Sequence, residues 1–305
     1  MIVCVGPIFL DRIVKIDSFP EKPIKLVAKG LEKRLGGPAA VASFAVNILG
    51  ESSELVSRFG DDTAADFLQS ELNDYNINYD KSITVNGALS SQSHIFEDSH
   101  GERMLAVFNE KKLLNEKVLP NFKFTNEQTY LIDAHWVEAA HYVAKNTYDR
   151  DIKCIVDLDN FSRSRAVEEI ISYSSHPIFS ENGLVEYTND KSIINSLKSL
   201  YQDNNKFYAV TLGSQGVYWI DKGKVYHCSA PDINVVETNG AGDVFHGSFA
   251  RFIHANKTIQ ESIELATAAA SLKCSRSGGI RAIPNYNELI KFSDQLKPTT
   301  EIKEP

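Results

Sequence analysis

The sequence predicts an α/β fold: a doubly wound, mostly parallel sheet with helices on both faces, and a small β-sheet beside it acting as a lid. Short apolar runs of strand length alternate with segments whose apolar residues recur three or four positions apart, the pattern of buried strands joined by amphipathic helices. Several of the strand-like runs end in Gly, Asp or Ser, where ligand-facing loops start in such sheets. Two further segments break the rhythm, and neither is long enough to fold alone.

In chain order, "MIVCVG" reads as a first buried strand and not as a signal peptide, because it lacks a basic leader and meets Asp11 early. Residues 12–35 hold Pro20 and Pro23 between strand-like pieces, and "SSQSHIFEDSHGERMLAVF" reads as a hairpin turning at "DSHG". Together, about 12–35 and 90–109 form the expected lid over the crevice at the strand ends. "SELVSRF", "TYLIDA", "KCIVDLD", "HPIFS" and "FYAVTLG" are the other strands, with "PAAVASFAVNILG", "TAADFLQSELNDY", "VEAAHYVAKN" and "KSIINSLKSLYQ" as helices between them. The last third reads as mostly helical. There Val244, Phe245, Phe249, Phe252 and Ile253 share one helix face, and "TIQE" from Thr258 to Glu261 is a capping box opening another helix. No repeat or linker divides the chain, so residues 1–305 are expected to form one domain.

Bulk properties narrow the function. Lys and Arg number 32 against 40 Asp and Glu, a net charge of −8, which argues against a nucleic-acid binder or a membrane-surface protein. An anionic ligand then has to be held by local devices such as helix ends. Cys4, Cys154, Cys228 and Cys274 are far apart with no C-x-x-C pair, which suggests neither a zinc site nor a disulfide framework. A soluble, cytoplasmic protein is expected.

The chemistry concentrates in "VVETNGAGDVFHGSFA". A backbone threading Gly240, Ala241 and Gly242 lets N–H groups approach a ligand closely, and amides beside a helix start form an anion cradle. A carboxylate at Asp243 would repel that anion, but it suits a different task, accepting the proton of an attacking hydroxyl. A glycine turn that merely starts a helix, with Asp243 as its cap, is the alternative. Gly36 and Gly37 precede a second helix, Asp11 follows the first strand, and Thr211, Gly213 and Gly216 lie in "VTLGSQGVYW" at a strand end. No G-x-x-x-x-G-K-[ST] loop is present.

In this order the motifs "VGPIFLD", "GGPAA", "TLGSQG" and "NGAGDVF" resemble the PfkB family of carbohydrate kinases, the ribokinase-like fold, over nearly the whole chain. The resemblance implies ATP with Mg2+ as cofactors and phosphoryl transfer to a primary hydroxyl of a small sugar, a ketose such as fructose or sulfofructose among the candidates. It implies Asp243 as the base, the Gly240–Gly242 amides as the anion hole, and Asp11, Gly36 and Gly37 as the grip on sugar hydroxyls. Thr211, Gly213, Gly216, Thr267 and Gly279 map to nucleotide contacts, and Glu181 of "SENG" to an indirect magnesium role. Similarity to the family's sulfofructose kinases in "SSQS", "GER", "FSENGL" and "LKCSRSGG" places Lys25 against a sulfonate and His135 where an arginine is expected, with Val107 in place of an asparagine. His135 as a plain strand-end histidine and Lys25 as a surface lysine are the alternatives. Glu237 stands for the family's aspartate in a neighbourhood that often binds a monovalent cation, and Val41 replaces an asparagine. The resemblance also implies a homodimer paired through the lid. A nucleoside kinase of the same fold, and a non-catalytic sugar-binding regulatory protein, are the other readings.

Overall fold

The computed structural model describes residues 1–100, 102–204, 206–294 and 299–302. The first half runs β1 (Ile2–Val5), β2 (Phe9–Lys15), β3 (Gly30–Gly36), α1 (Pro38–Ile48), β4 (Ser53–Val56), β5 (Arg58–Phe59), α2 (Thr63–Asp74), β6 (Ile83–Thr84), β7 (Gln92–Glu97), β8 (Arg103–Phe108), α3 (Lys111–Leu114) and β9 (Thr129–Asp133). The second half runs α4 (Val137–Tyr148), β10 (Cys154–Leu158), α5 (Arg165–Tyr173), β11 (His176–Ser180), α6 (Glu181–Thr188), α7 (Ile193–Asn204), β12 (Tyr208–Thr211), β13 (Val217–Asp221), β14 (Lys224–Cys228), α8 (Ala241–His254), α9 (Ile259–Cys274), α10 (Tyr286–Ser293) and β15 (Thr300–Ile302).

A nine-stranded sheet has the order β15-β14-β13-β12-β11-β10-β9-β1-β4. From β4 to β12 every pairing is parallel, and from β12 to β15 every pairing is antiparallel. Parallel strands bury both faces, and alternate residues of β1 divide accordingly. Ile2 and Cys4 pack with α1, α2, α8, α9 and α10, whereas Val3 and Val5 pack with α4, α5 and α7. The chain leaves β1 toward β4 on one side and β9 on the other. Beyond the carboxyl ends of the strands at such a reversal a crevice opens.

A second sheet, of four strands in the order β3-β2-β7-β8, stands beside this end. The β2–β3 and β7–β8 pairs are antiparallel, and β2 and β7 are parallel. Its edge strand β8 is exposed at Met104, Leu105, Val107 and Phe108. Gly101, in the expected turn of the hairpin, lies outside the described residues.

The structure departs from the sequence reading in two places. "SELVSRF" is not one strand, because the chain leaves the main sheet at Ser57, whose N–H donates to Ser82 Oγ at 2.9 Å, and β5 pairs instead with β6. The last third is less helical than its pattern predicts, since β13 and β14 form a hairpin. Lys222 and Gly223 at its turn have φ of 49° and 76°, the double left-handed geometry that matches the twist of a tight hairpin.

Helix α9 begins with both halves of the Thr258–Glu261 capping box in place. Helices α1 and α8 cross closely: a β-carbon on Gly247 would stand 2.9 Å from Ala42 Cα. Both helices begin at the crevice, α1 after Gly37 and α8 after Gly240.

Candidate active site

Helix α8 starts from Gly240, which has φ 75° and ψ 9°, and no side chain among the described residues caps it. Asp243 is therefore not the cap of its own helix. The Ala241 N–H is engaged by Thr238 O at 3.1 Å, and the next amides of the turn face outward with the positive end of the helix dipole.

This first turn is the wall between two cavities. On one side Gly240 and Asp243 line a pocket of about 60 Å³ with Asp11, Arg34, Gly36, Gly37, Val41, Lys273 and Gly279. On the other side Ala241 and Gly242 line a cavity of about 550 Å³ with Thr211, Gly213, Gly216, Val217, Phe245 and Thr267, a size ordinary for a cofactor site. Gly216 has φ 91°, and a β-carbon there would stand 2.6 Å from Ala230 N, so the strand-end loop packs where a side chain cannot. Gly279, read from the sequence with the nucleotide contacts, lines the smaller pocket instead, against the Arg34 side chain.

Further carboxylates lie near Asp243. Asp133 and Asp157 are register partners at the ends of β9 and β10 and are both buried, and Asp133 Oδ2 and Asp157 Oδ1 have no partner among the described residues. Desolvation, followed by the negative charges of Asp157, Asp133 and Asp159, raises the Asp243 pKa well above the usual carboxylate range. Burial likewise pushes Asp11 up to about 6, with a Ser93 hydrogen bond and the Arg34 charge opposing it. A buried carboxylate whose pKa is raised in this way, beside outward-facing amides, has the properties of a general base.

A dense ionic network supports the turn. Arg34 Nη1 donates to both oxygens of buried Glu237 at 3.0 and 2.9 Å, and its Nε donates to Glu32 at 2.9 Å. Burial favours the neutral acid at Glu237, but the Gly278 N–H, Lys273 and Arg34 together hold its pKa below the usual range.

Three of the expected residues lie elsewhere. His135 lines a separate cavity of about 150 Å³ with Arg58, Ser91, Asn109 and Trp136. Its backbone N–H and Nδ1 both meet Asp133 Oδ1 at 2.6 Å, and that hydrogen bond, against the effect of burial, raises the imidazole pKa to about 9. Lys25 is exposed in the segment between β2 and β3 and lines none of these cavities. Glu181 is exposed at the start of α6, also away from them. Among the described residues no group of three or more His, Cys, Asp or Glu side chains is placed to hold a metal ion.

Sequence reasoning did not find Arg34, Asp133, Asp157 or Lys273. A signal existed for the last: Lys273 follows Ala266 and Ala269 at helical spacing, on the face of α9 that those alanines bury.

A turn of backbone amides separates a small pocket lined by Asp11 and Asp243 from a cofactor-sized cavity, an arrangement suited to group transfer, and the comparisons give the class. Residues 1–285 match the model of the pfkB family carbohydrate kinases, and the chain belongs to that family. It is 25% identical over 313 residues to a ribokinase of Dictyostelium discoideum, covering 94% of this chain and 98% of the relative. A nucleoside kinase of Methanocaldococcus jannaschii is 24% identical, with 95% of each chain covered. The solved ribokinase of Arabidopsis thaliana, complexed with ribose and ATP, superposes with a TM-score of 0.82 at 22% identity, covering 96% of this chain and 98% of that one. The chain is accordingly a phosphotransferase, a sugar or nucleoside kinase of the PfkB type.

Proposed function

We propose that the protein transfers the γ-phosphoryl group of ATP to a primary hydroxyl of a small sugar or sugar derivative. The observation that carries this reading is the first turn of α8, with Gly240 and Asp243 facing one cavity and Ala241 and Gly242 facing the other. A donor phosphate held by the turn from the larger cavity meets an acceptor hydroxyl in the smaller one across a single layer of backbone. Asp243 takes the proton of that hydroxyl as the new P–O bond forms and the bond from the γ-phosphorus to the bridging oxygen breaks, ADP leaving with that oxygen, and the amides hold the charge on the transferring group. Asp11, Gly36 and Gly37 grip the other hydroxyls, a carboxylate being able to accept from two at once. Thr211, Gly213, Gly216 and Thr267 line the nucleotide side, and magnesium enters with the nucleotide.

The acceptor pocket, at about 60 Å³, is smaller than a sugar. The sheet carrying Asp11 therefore swings outward to admit one, which makes residues 12–35 and 90–109 a lid on a single kinase domain. The exposed apolar side chains of β8 and Leu31 support pairing of that lid with the lid of a second copy, and the mass in solution tests it.

A panel of sugars, including ribose, fructose, fructose phosphate and sulfofructose, together with nucleosides, assayed for ADP release with ATP and Mg2+, tests the proposal. Turnover on a sugar supports it, and turnover on nucleosides alone would assign a nucleoside kinase, a reading favoured by the Methanocaldococcus relative. Thermal stabilisation by a sugar without ADP from any acceptor would leave only a binding protein.

A further inference from the structure

Lysine is almost never fully buried unless its charge is matched, yet Lys273 is 1% exposed. Its ammonium donates to the backbone carbonyl of Glu237 at 3.2 Å and to that of Asn239, and stands 3.7 Å from Glu237 Oε1. Those carbonyls belong to the turn directly before Gly240. The same turn is tied to the end of α9 from the other side, where Val236 N and Glu237 N donate to Cys274 O at 2.8 and 3.1 Å. Lys273 also lines the pocket that holds Asp243. A single positive charge thus binds a carboxylate and two carbonyls at the base of the phosphoryl cradle.

This is the ligand set that a hard monovalent cation would want, and it is already taken. The Glu237 carboxylate faces Arg34 as well as Lys273, so an added alkali ion would meet two fixed positive charges within a few ångströms. The residues here do not fit the monovalent cation that the family resemblance implies near Glu237. We propose that the Lys273 ammonium serves as the enzyme's own monovalent cation, holding the Glu237–Asn239 turn and with it the cradle amides, so that phosphoryl transfer needs no alkali ion from solution. Lys273 is then a positioning residue acting through the turn, an inference that rests on the kinase reading above.

The test compares wild type and Lys273→Ala with potassium, sodium, ammonium or tetramethylammonium chloride at constant ionic strength. Wild-type kcat and KM for ATP should stay within about twofold across the salts, while Lys273→Ala should lose roughly 100-fold in kcat/KM for ATP. Ammonium or potassium at tens of millimolar, but not the bulky tetramethylammonium, should restore about tenfold of that loss and raise the melting temperature of the variant alone. A wild type activated severalfold by potassium would overturn the inference, as would a Lys273→Ala enzyme with normal kinetics, or a folded one that no small cation restores. If the variant does not fold, the wild-type salt series decides by itself. If wild type forms no ADP from any acceptor in any salt, the kinase reading fails instead, and the melting temperatures still report whether a cation replaces the ammonium.

Discussion

Gly36 lies directly beneath the Asp11 carboxyl: a β-carbon at that glycine would stand 2.6 Å from Asp11 Cγ. Gly36 is not in a left-handed conformation, so its substitution is a steric matter and not one of backbone strain. Gly36→Ala should displace the carboxylate from the acceptor hydroxyls it is proposed to grip, raising KM for the acceptor by about tenfold or more while KM for ATP holds. Steady-state kinetics varied in each substrate separate the two effects.

Asp243→Asn keeps the shape of the site and removes the proposed base. Turnover should fall by about two or more orders of magnitude with acceptor binding little changed. The base works only when ionised, so wild-type kcat should fall as pH drops through its pKa, which desolvation and neighbouring carboxylates hold well above the usual range. A pH–rate profile whose acid limb survives in Asp243→Asn would assign that limb to another group.

Asp11 makes stability depend on pH. Its carboxyl is raised from 3.8 to about 6 by burial, so the folded chain holds that proton more tightly than the unfolded one does. The contribution is fully present below 3.8 and is lost as pH rises through about 6. Asp11→Asn should therefore gain on wild type by about 3 kcal/mol between acid and neutral pH, read from urea melts at both, while acceptor affinity falls.

Arg34 and Glu237 form a pair in which the carboxylate is 6% exposed. Removing Arg34 leaves that carboxylate only Lys273 and the Gly278 N–H, and Arg34→Met should cost roughly 2 kcal/mol. The loss should shrink when Glu237→Gln is added, which a double-mutant cycle by chemical denaturation measures.

At His135 the expected observation is spectroscopic. The Asp133 carboxylate raises the imidazole to about 9, so its ring resonances should titrate near that pH in wild type and move toward the ordinary histidine range in Asp133→Asn. The cation side of this linkage is favourable below the unfolded value of 6.5 and lost as pH rises through 9.

The parts of the site that depend on local backbone were legible in the sequence. Gly240 and Gly216 adopt left-handed conformations, Gly36 and Gly37 sit where a side chain would collide, and such demands leave glycines at fixed spacing next to helix starts and strand ends. The strands ended where the apolar runs ended, except at Ser57, where a side-chain contact from Ser82 decided the matter. What escaped was long-range charge. Arg34 meets Glu237 203 positions away, and Lys273 meets Asn239 34 positions away, and no periodicity encodes such partners. The place of Gly279 in the smaller pocket escaped for the same reason, since packing against Arg34 puts it there.

The crossing of α1 and α8 at Gly247 and Ala42 bears on how far apart the reactants stand. One helix carries the Gly37 grip at its start and the other the Gly240 cradle, so the crossing acts as the pivot of a pair of callipers whose tips are the two loops. A methyl group at position 247 would press on the Ala42 backbone, which cannot yield as a side-chain tip does, and would force the two helices apart. In the transfer proposed here that gap would be the reach of the attacking oxygen, and Gly247, in the core of α8, would gauge it from a site away from both cavities.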